Sequence, residues 1–325
     1  MNPIEAARER LRTARHGNYR AALPERTAFV LSGGGNLGAV QVGMLRALFE
    51  RRIRPDLIVG CSIGALNGAV VAAEPNLGGV GRLEDLWHSV EGRDVMPSGL
   101  LPPVVQMARK GISIHGNAGL RAIIEDVLPV RTFAELVVPF ECVATAIDAV
   151  EEVWFAAGSL VEPILASGAL PAVLPPVEID GVRYVDGAVV NDIPVSRAVE
   201  RGATTIYVLH VGSFERPRPE PRRPFDMALQ AYWIARHHRF KRDLAALPAD
   251  VEAVVLPTGQ PPVLRFNDLG HSAELMKNAY TATASFLDAR AAGGRAVTNP
   301  SAAADPAVTP ADSPATTTVA PGDTG

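Results

Sequence analysis

Cysteine is scarce, with only Cys61 and Cys142 in 325 residues. That count excludes a disulfide-stapled secreted scaffold, and both thiols lie in apolar runs, as free buried cysteines of a reducing cytoplasm do. A basic excess is also missing. The formal net charge is -4, so no overall positive field draws the protein onto DNA or RNA. The first residues, MNPIEAARERLRTARHGN, alternate acid and base without an apolar run of secretory length, so no signal peptide is expected. No stretch approaches the roughly eighteen consecutive apolar residues that a membrane-spanning helix needs. A cytoplasmic protein is expected, at most peripheral to a membrane. His, Cys and carboxylates show no metal-ligand spacing, and no cofactor is implied.

What the chain has is apolar mass, at 47% hydrophobic residues, enough for one large or two small cores. A single α/β domain over 26–292 is expected, between a polar arm at 1–25 and an Ala/Pro/Thr-rich tail at 293–325 that cannot bury enough surface to order itself. The run TAFVLS reads as a buried strand that breaks at SGGG. From Gly38 to Arg52, Val42, Leu45, Leu48 and Phe49 recur at helical spacing, and DLIVGC then reads as a second buried strand. A strand-helix-strand unit of about thirty residues implies parallel pairing. Helices are expected at 63–73, 82–90, 118–128, 225–247 and 272–290, and strands at ECVATAID, EVWFAA, VRYVDGAVV, TTIYVLHVG and VEAVVLP. ALPAVLPPV reads as a proline-pinned loop, and the Pro/Gly/Leu-rich stretch 94–116 as a lid. No internal repeat is visible. The alternation predicts a mostly parallel sheet covered on both faces, an α/β/α sandwich.

Two glycine-rich turns carry chemistry. Gly60-Cys61-Ser62-Ile63-Gly64 is a Gly-x-Ser-x-Gly placed between an expected strand and an expected helix. On residue frequencies, on the order of 0.1 such pentapeptides arise by chance, so the placement gives the pattern its weight. A serine at the apex of a tight elbow exposes its hydroxyl above the sheet, and a following helix N-terminus adds donors for a developing oxyanion. The bland alternative is a serine N-cap. The second turn, Ser32-Gly33-Gly34-Gly35-Asn36-Leu37-Gly38, frees backbone N–H groups to bind a phosphate or an oxyanion. Gly33, Gly35 and Gly38 also satisfy the dinucleotide pattern Gly-x-Gly-x-x-Gly, but the acidic ribose partner that pattern needs at the end of the second strand is missing, because Asp56 precedes that strand.

A serine nucleophile needs a base. Asp186, in Tyr184-Val185-Asp186-Gly187-Ala188, stands at the mouth of an expected strand where glycine permits a sharp turn, although a turn carboxylate capping backbone amides explains it equally. Seven histidines keep a Ser-Asp-His triad open, with His210 at a strand end as its first choice. A catalytically idle scaffold is the third alternative. The segment from Tyr232 and Trp233 through Arg242, with Arg236, His237, His238, Arg239 and Lys241, can rest on an anionic membrane or be a solvated helix face. Apolar stretches at 99–107 and 170–177 suit an acyl chain or an ordinary core.

Taken together, FVLSGGGNLGAVQVGMLRAL, VGCSIGALNGA and ASGALPAVLPPVEIDGVRYVDGAVVNDIP, in this order and spacing, resemble the patatin-like phospholipases over roughly 27–290. The resemblance implies a three-layer α/β/α fold and a Ser-Asp dyad without histidine. It implies Ser62 as nucleophile, Asp186 as base, and the backbone of Gly33, Gly34 and Gly35 as oxyanion hole, with Gly38, Gly60, Gly64, Gly187 and Ala188 completing the motifs. It further implies a lipid acyl hydrolase of phospholipase A or carboxylesterase type. Two departures stand out: Leu37 where many members carry a basic residue, and Asp-Gly-Ala where Asp-Gly-Gly is commoner.

Overall fold

The structure, a computed structural model, describes residues 27–91, 116–212, 220, 224–259 and 270–293. The expected arm at 1–25, the apolar stretch 99–107, nearly all of the expected lid and the tail beyond Gly293 lie outside the described residues.

The sheet begins with β1 (Thr27–Leu31) and β2 (Leu57–Cys61), whose side chains are almost all buried on both faces. That double burial is why they read as continuous apolar runs rather than alternating ones. β3 (Phe140–Ala146), β4 (Glu151–Phe155), β5 (Val177–Ile179), β6 (Val182–Asp186), β7 (Thr205–Leu209) and β8 (Glu252–Val255) complete eight described strands in the order β5-β6-β3-β2-β1-β7-β8, with β4 also on β3. Pairing is parallel from β3 through β2, β1 and β7 to β8, and antiparallel for β3 with β4, β3 with β6, and β5 with β6. The expected parallel sheet therefore holds in its centre and turns antiparallel at one side.

Strand periodicity sorts the core into two layers. Phe29, Leu31, Ile58, Cys142 and Leu209 face one side, under α1 (Ala39–Glu50), α2 (Ile63–Ala73), α3 (Leu77–Glu91), α4 (Ala118–Val127), α5 (Val161–Ser167) and α8 (Ser272–Ala292). Ala28, Val30, Leu57, Val59, Ile206 and Val208 face the other, under α6 (Val195–Glu200) and α7 (Pro224–Ala245). The result is the expected α/β/α sandwich. No helix among the described residues is long and apolar enough to cross a membrane.

Two short helices escaped the sequence reading: α5, of seven residues, and α6, of six. Neither is long enough to display a helical period. The loop expected at ALPAVLPPV ends in β5, which forms a hairpin with β6 through Asp180 (φ 51°) and Gly181 (φ 75°). Two consecutive left-handed residues with Asp-Gly chemistry make the tight turn whose twist matches the strands.

Candidate active site

The sheet register brings two distant turns together. Val143 of β3 pairs with Cys61 of β2 and with Trp154 of β4, so those neighbours occupy opposite edges of β3. Ala144, the next residue, pairs with Val153 of β4 and Asp186 of β6. β6 must therefore take over the edge that β2 has just left. Because β2 runs parallel to β3 and β6 antiparallel, their C-terminal ends meet head to head, and Ser62 and Asp186 follow from that meeting.

Ser62 caps α2 at φ 53° and ψ −123°, a conformation that costs a non-glycine residue roughly 1–3 kcal/mol and that tends to collect at functional turns. The flanking glycines are required by contact. A Cβ on Gly60 would lie 2.5 Å from the Gly64 carbonyl oxygen, and one on Gly64 would lie 2.4 Å from that of Leu31. The Ser62 hydroxyl donates to Asp186 Oδ2 at 2.6 Å, and the Ser62 N–H donates to Ser167 Oγ at 2.8 Å.

Asp186 is buried. Its Oδ1 accepts the Ala188 N–H at 2.8 Å, its N–H donates to the Ala169 carbonyl at 2.9 Å, and its carbonyl accepts from Thr145 Oγ1 at 2.9 Å. Burial pushes its carboxyl up to about 6, against the hydrogen bonds from Ser62 and Ala188 and the charge of Arg236. Gly187 packs on β3, where a Cβ would meet the Val143 carbonyl at 2.3 Å. The Ala188 methyl is buried with Cys61 and Val143, which is why alanine is accommodated after Asp-Gly here.

The glycine loop sits over the serine: a Cβ on Gly33 would lie 3.2 Å from Ser62 Cβ. The Gly33 N–H donates to the Asp192 carbonyl at 3.2 Å, so the expected trio of free amides narrows to Gly34 and Gly35. Neither of those two N–H groups donates to a backbone carbonyl among the described residues. Gly35 has φ 58°, and a Cβ on Gly34 would fall 2.0 Å from Val211 Cγ2. Gly38 closes the loop against Ile63 and Trp87, and Leu37 packs half-buried on the core.

Beneath the loop lies a buried amide network that the sequence reading missed. Gln41 Nε2 donates to the carbonyls of Ser32 (2.8 Å) and Leu209 (3.1 Å), Asn67 Nδ2 donates to Gln41 Oε1 and the Gly38 carbonyl, and Trp87 Nε1 donates to Asn67 Oδ1. Gln41 thereby ties the Ser32 carbonyl, at the head of the glycine loop, to the Leu209 carbonyl at the end of β7. Ser167 was missed as well. Its only sequence signal was its place in the ASGALP segment, since a buried serine in a seven-residue helix has no pattern of its own.

Other candidates lie elsewhere. His210 is buried, and burial with neighbouring His237 holds its imidazole down to about 3, with contacts to the backbone of Gly212 and Leu256. Asp56 accepts the Thr27 N–H at 2.9 Å, at the opposite end of β1 from the glycines, so it cannot serve a ribose there. In the basic stretch of α7, Arg236 pairs with Asp192 and Arg239 with Glu152 and Asp243, and His237 is buried. His238, Lys241 and Arg242 remain exposed. His16 and His115 lie outside the described residues.

The family model for patatin-like phospholipase matches residues 29–199, more than half of the chain. The chain belongs to the patatin-like phospholipase family. It is 31% identical over 231 residues to an uncharacterized NTE family protein of Mycobacterium bovis, covering 70% of this chain and 59% of that one. It is 31% identical over 188 residues to mouse patatin-like phospholipase domain-containing protein 7, covering 57% of this chain and 14% of that one. With the lysophospholipase NTE1 of Mycosarcoma maydis it shares 29% identity over 213 residues, covering 63% of this chain and 10% of that one. The chain thus spans at most 59% of the length of these relatives.

Proposed function

We propose that this patatin-like phospholipase family member hydrolyses carboxylic esters of lipids through an acyl-serine intermediate, with Ser62 as nucleophile and Asp186 as its general base. The observation that carries the reading is the 2.6 Å hydrogen bond from Ser62 Oγ to a buried carboxylate, made by a serine in a left-handed elbow. A hydroxyl in direct contact with a carboxylate needs no imidazole relay. Burial supports the role, because a carboxylate near 6 is a stronger base than an exposed aspartate and is still ionised at neutral pH.

In the first half-reaction Ser62 Oγ attacks the ester carbonyl carbon as Asp186 takes the hydroxyl proton. The carbonyl oxygen gains negative charge in front of the Gly34 and Gly35 amides. Collapse expels the alcohol, which receives the proton from Asp186, and leaves Ser62 acylated. Water then attacks the acyl group, Asp186 takes a proton from that water and passes it to Ser62 Oγ, and the fatty acid leaves. Lipid as substrate rests on the family and on the relative named a lysophospholipase.

The exposed face of α7 supports a peripheral encounter with the lipid surface, since Met227 and Ile234, each more than half exposed, precede exposed His238, Lys241 and Arg242 on the same helix. A cytoplasmic enzyme meeting a membrane from one side fits that face.

The test is a panel of aryl esters, lysophospholipids and phospholipids assayed with the wild type and Ser62→Ala, alongside labelling by a fluorophosphonate. Turnover that disappears in Ser62→Ala, with label on Ser62 alone, supports the reading. Label elsewhere with Ser62 untouched refutes it.

A further inference from the structure

The hydrolytic site is held from behind by an ion pair. Asp192 lies six residues beyond Asp186 in the loop that follows β6, and its carboxylate pairs through Oδ2 with Arg236 Nη2 from α7. Both side chains are largely buried, at 4% and 18% exposure. The Arg236 guanidinium also stacks over the Tyr232 ring at 5.0 Å, one turn earlier on the helix. Asp192 touches the glycine loop twice. Its carbonyl accepts the Gly33 N–H at 3.2 Å, and its Oδ1 lies 2.5 Å from where a Gly33 Cβ would stand. One turn further along α7, Arg239 Nη1 donates to the Val190 carbonyl at 2.9 Å. The helix therefore grips the Asp186 loop at two points and, through Asp192, reaches the loop above Ser62.

A buried ion pair is a poor source of net stability, because desolvation offsets its Coulomb attraction. Its geometric effect is different: two desolvated charges fix one arrangement of the elements that carry them. We propose that Arg236 and Asp192 are a positioning pair for the hydrolytic reaction, holding the Asp186 loop and the glycine loop in register and setting the charge field in which Asp186 accepts its proton. The proposal rests on the reading of Asp186 as general base.

The groups facing Asp186 make the electrical part testable. The end of β2 contributes Cys61, the elbow after it Ser62, β3 Thr145, its own loop Asp192, and α7 Tyr232 and Arg236. Burial pushes the Cys61 thiol and the Tyr232 hydroxyl up, so both stay neutral. The charges acting on Asp186 are then one of each sign: Arg236 pulls its carboxyl down and Asp192 pushes it up. Removing the two in turn must move the base in opposite directions.

The experiment measures kcat/KM for a soluble aryl ester against pH in the wild type, Arg236→Met, Arg236→Lys, Asp192→Asn and the double variant Asp192→Asn with Arg236→Met, each checked for folding by circular dichroism. The acid limb should move up by about one pH unit in Arg236→Met and down in Asp192→Asn, stay within a few tenths in Arg236→Lys, and fall between the single variants in the double one. In Arg236→Met, kcat should fall at least about tenfold with KM little changed, as a loosened base and oxyanion loop act on the transition state. If Arg236→Met does not fold, the double variant carries the comparison instead, because removing Arg236 on the Asp192→Asn background must bring the limb back up. Limbs that stay in place, or that move in the same direction in both single variants, overturn the proposal while Ser62→Ala remains inactive. Turnover surviving in Ser62→Ala would instead overturn the hydrolase reading on which it rests.

Discussion

Asp186→Asn removes the charge that the proposed mechanism needs and that the fold does worse with. The Asp186 carboxyl moves from 3.8 in an exposed chain to about 6 in the folded protein, chiefly through burial. A raised carboxyl binds its proton more tightly in the native state, so its contribution to stability is present below about 3.8 and is lost as pH rises through about 6. At pH 8 the native state carries the full penalty of a buried ionised carboxylate, about 3 kcal/mol for a displacement of that size. An asparagine keeps an oxygen to accept the Ala188 N–H and an amide that can donate to Ser62, so most of the hydrogen bonding survives neutralisation. Asp186→Asn should therefore be more stable than the wild type by about 1–3 kcal/mol at pH 8 and indistinguishable from it near pH 4. In a domain of this size each kcal/mol raises Tm by roughly 2–4 °C. Calorimetry of both proteins across that pH range measures the difference. A variant that melts lower at pH 8, or that gains as much near pH 4 as at pH 8, would refute the reasoning.

Ser167→Ala leaves the Ser62 N–H without its acceptor and should cost about 1–2 kcal/mol by chemical denaturation, with turnover lowered roughly tenfold as the elbow relaxes. Gly64→Ala drives a methyl into the Leu31 and Ser32 carbonyls at 2.4 and 2.5 Å and should cost about 3 kcal/mol or more, read as failure to fold or a steep drop in Tm. Val150 is 80% exposed at φ 55°, a conformation that a β-branched residue resists, so Val150→Asn should raise Tm by a few degrees with activity unchanged. Adding NAD or NADP should leave Tm in place, since a ligand bound only by the folded state must raise it.

The doubly covered sheet was legible because β1 and β2 are buried on both faces and read as unbroken apolar runs between glycine turns. The elbow was legible too, since the glycines on either side of Ser62, Gly60 and Gly64, are forced by close backbone contacts that leave a mark in composition. What stayed hidden was set by tertiary partners. Nothing local to Asp192 or Arg236 announces that they pair over 44 residues of sequence, and Gln41 and Asn67 look like ordinary polar helix residues until the carbonyls they hold are seen. The basic stretch from Tyr232 to Arg242 read as one charged surface, yet a helix in contact with the body of the protein divides such a run between two sides. Arg236 and Arg239 turn inward while Lys241 and Arg242 stay in solvent. The antiparallel side of the sheet was missed because β5 has three residues, too few to alternate, although the Asp180-Gly181 pair carried its turn signal.

The central claim is that Ser62 gives its proton directly to Asp186, and ester turnover of charge-neutral variants tests it most directly. Asp186→Asn keeps the side chain's shape but removes the acceptor, so turnover should fall at least about a hundredfold at unchanged fold. Replacement of His210, or of any other histidine in the chain, should leave turnover within a small factor of the wild type, because no imidazole stands between the hydroxyl and the carboxylate. A triad would behave otherwise, since its histidine receives the proton and is as necessary as its serine. If any folded histidine variant is as inactive as Ser62→Ala, or if Asp186→Asn keeps near wild-type turnover, the Ser62–Asp186 mechanism is wrong.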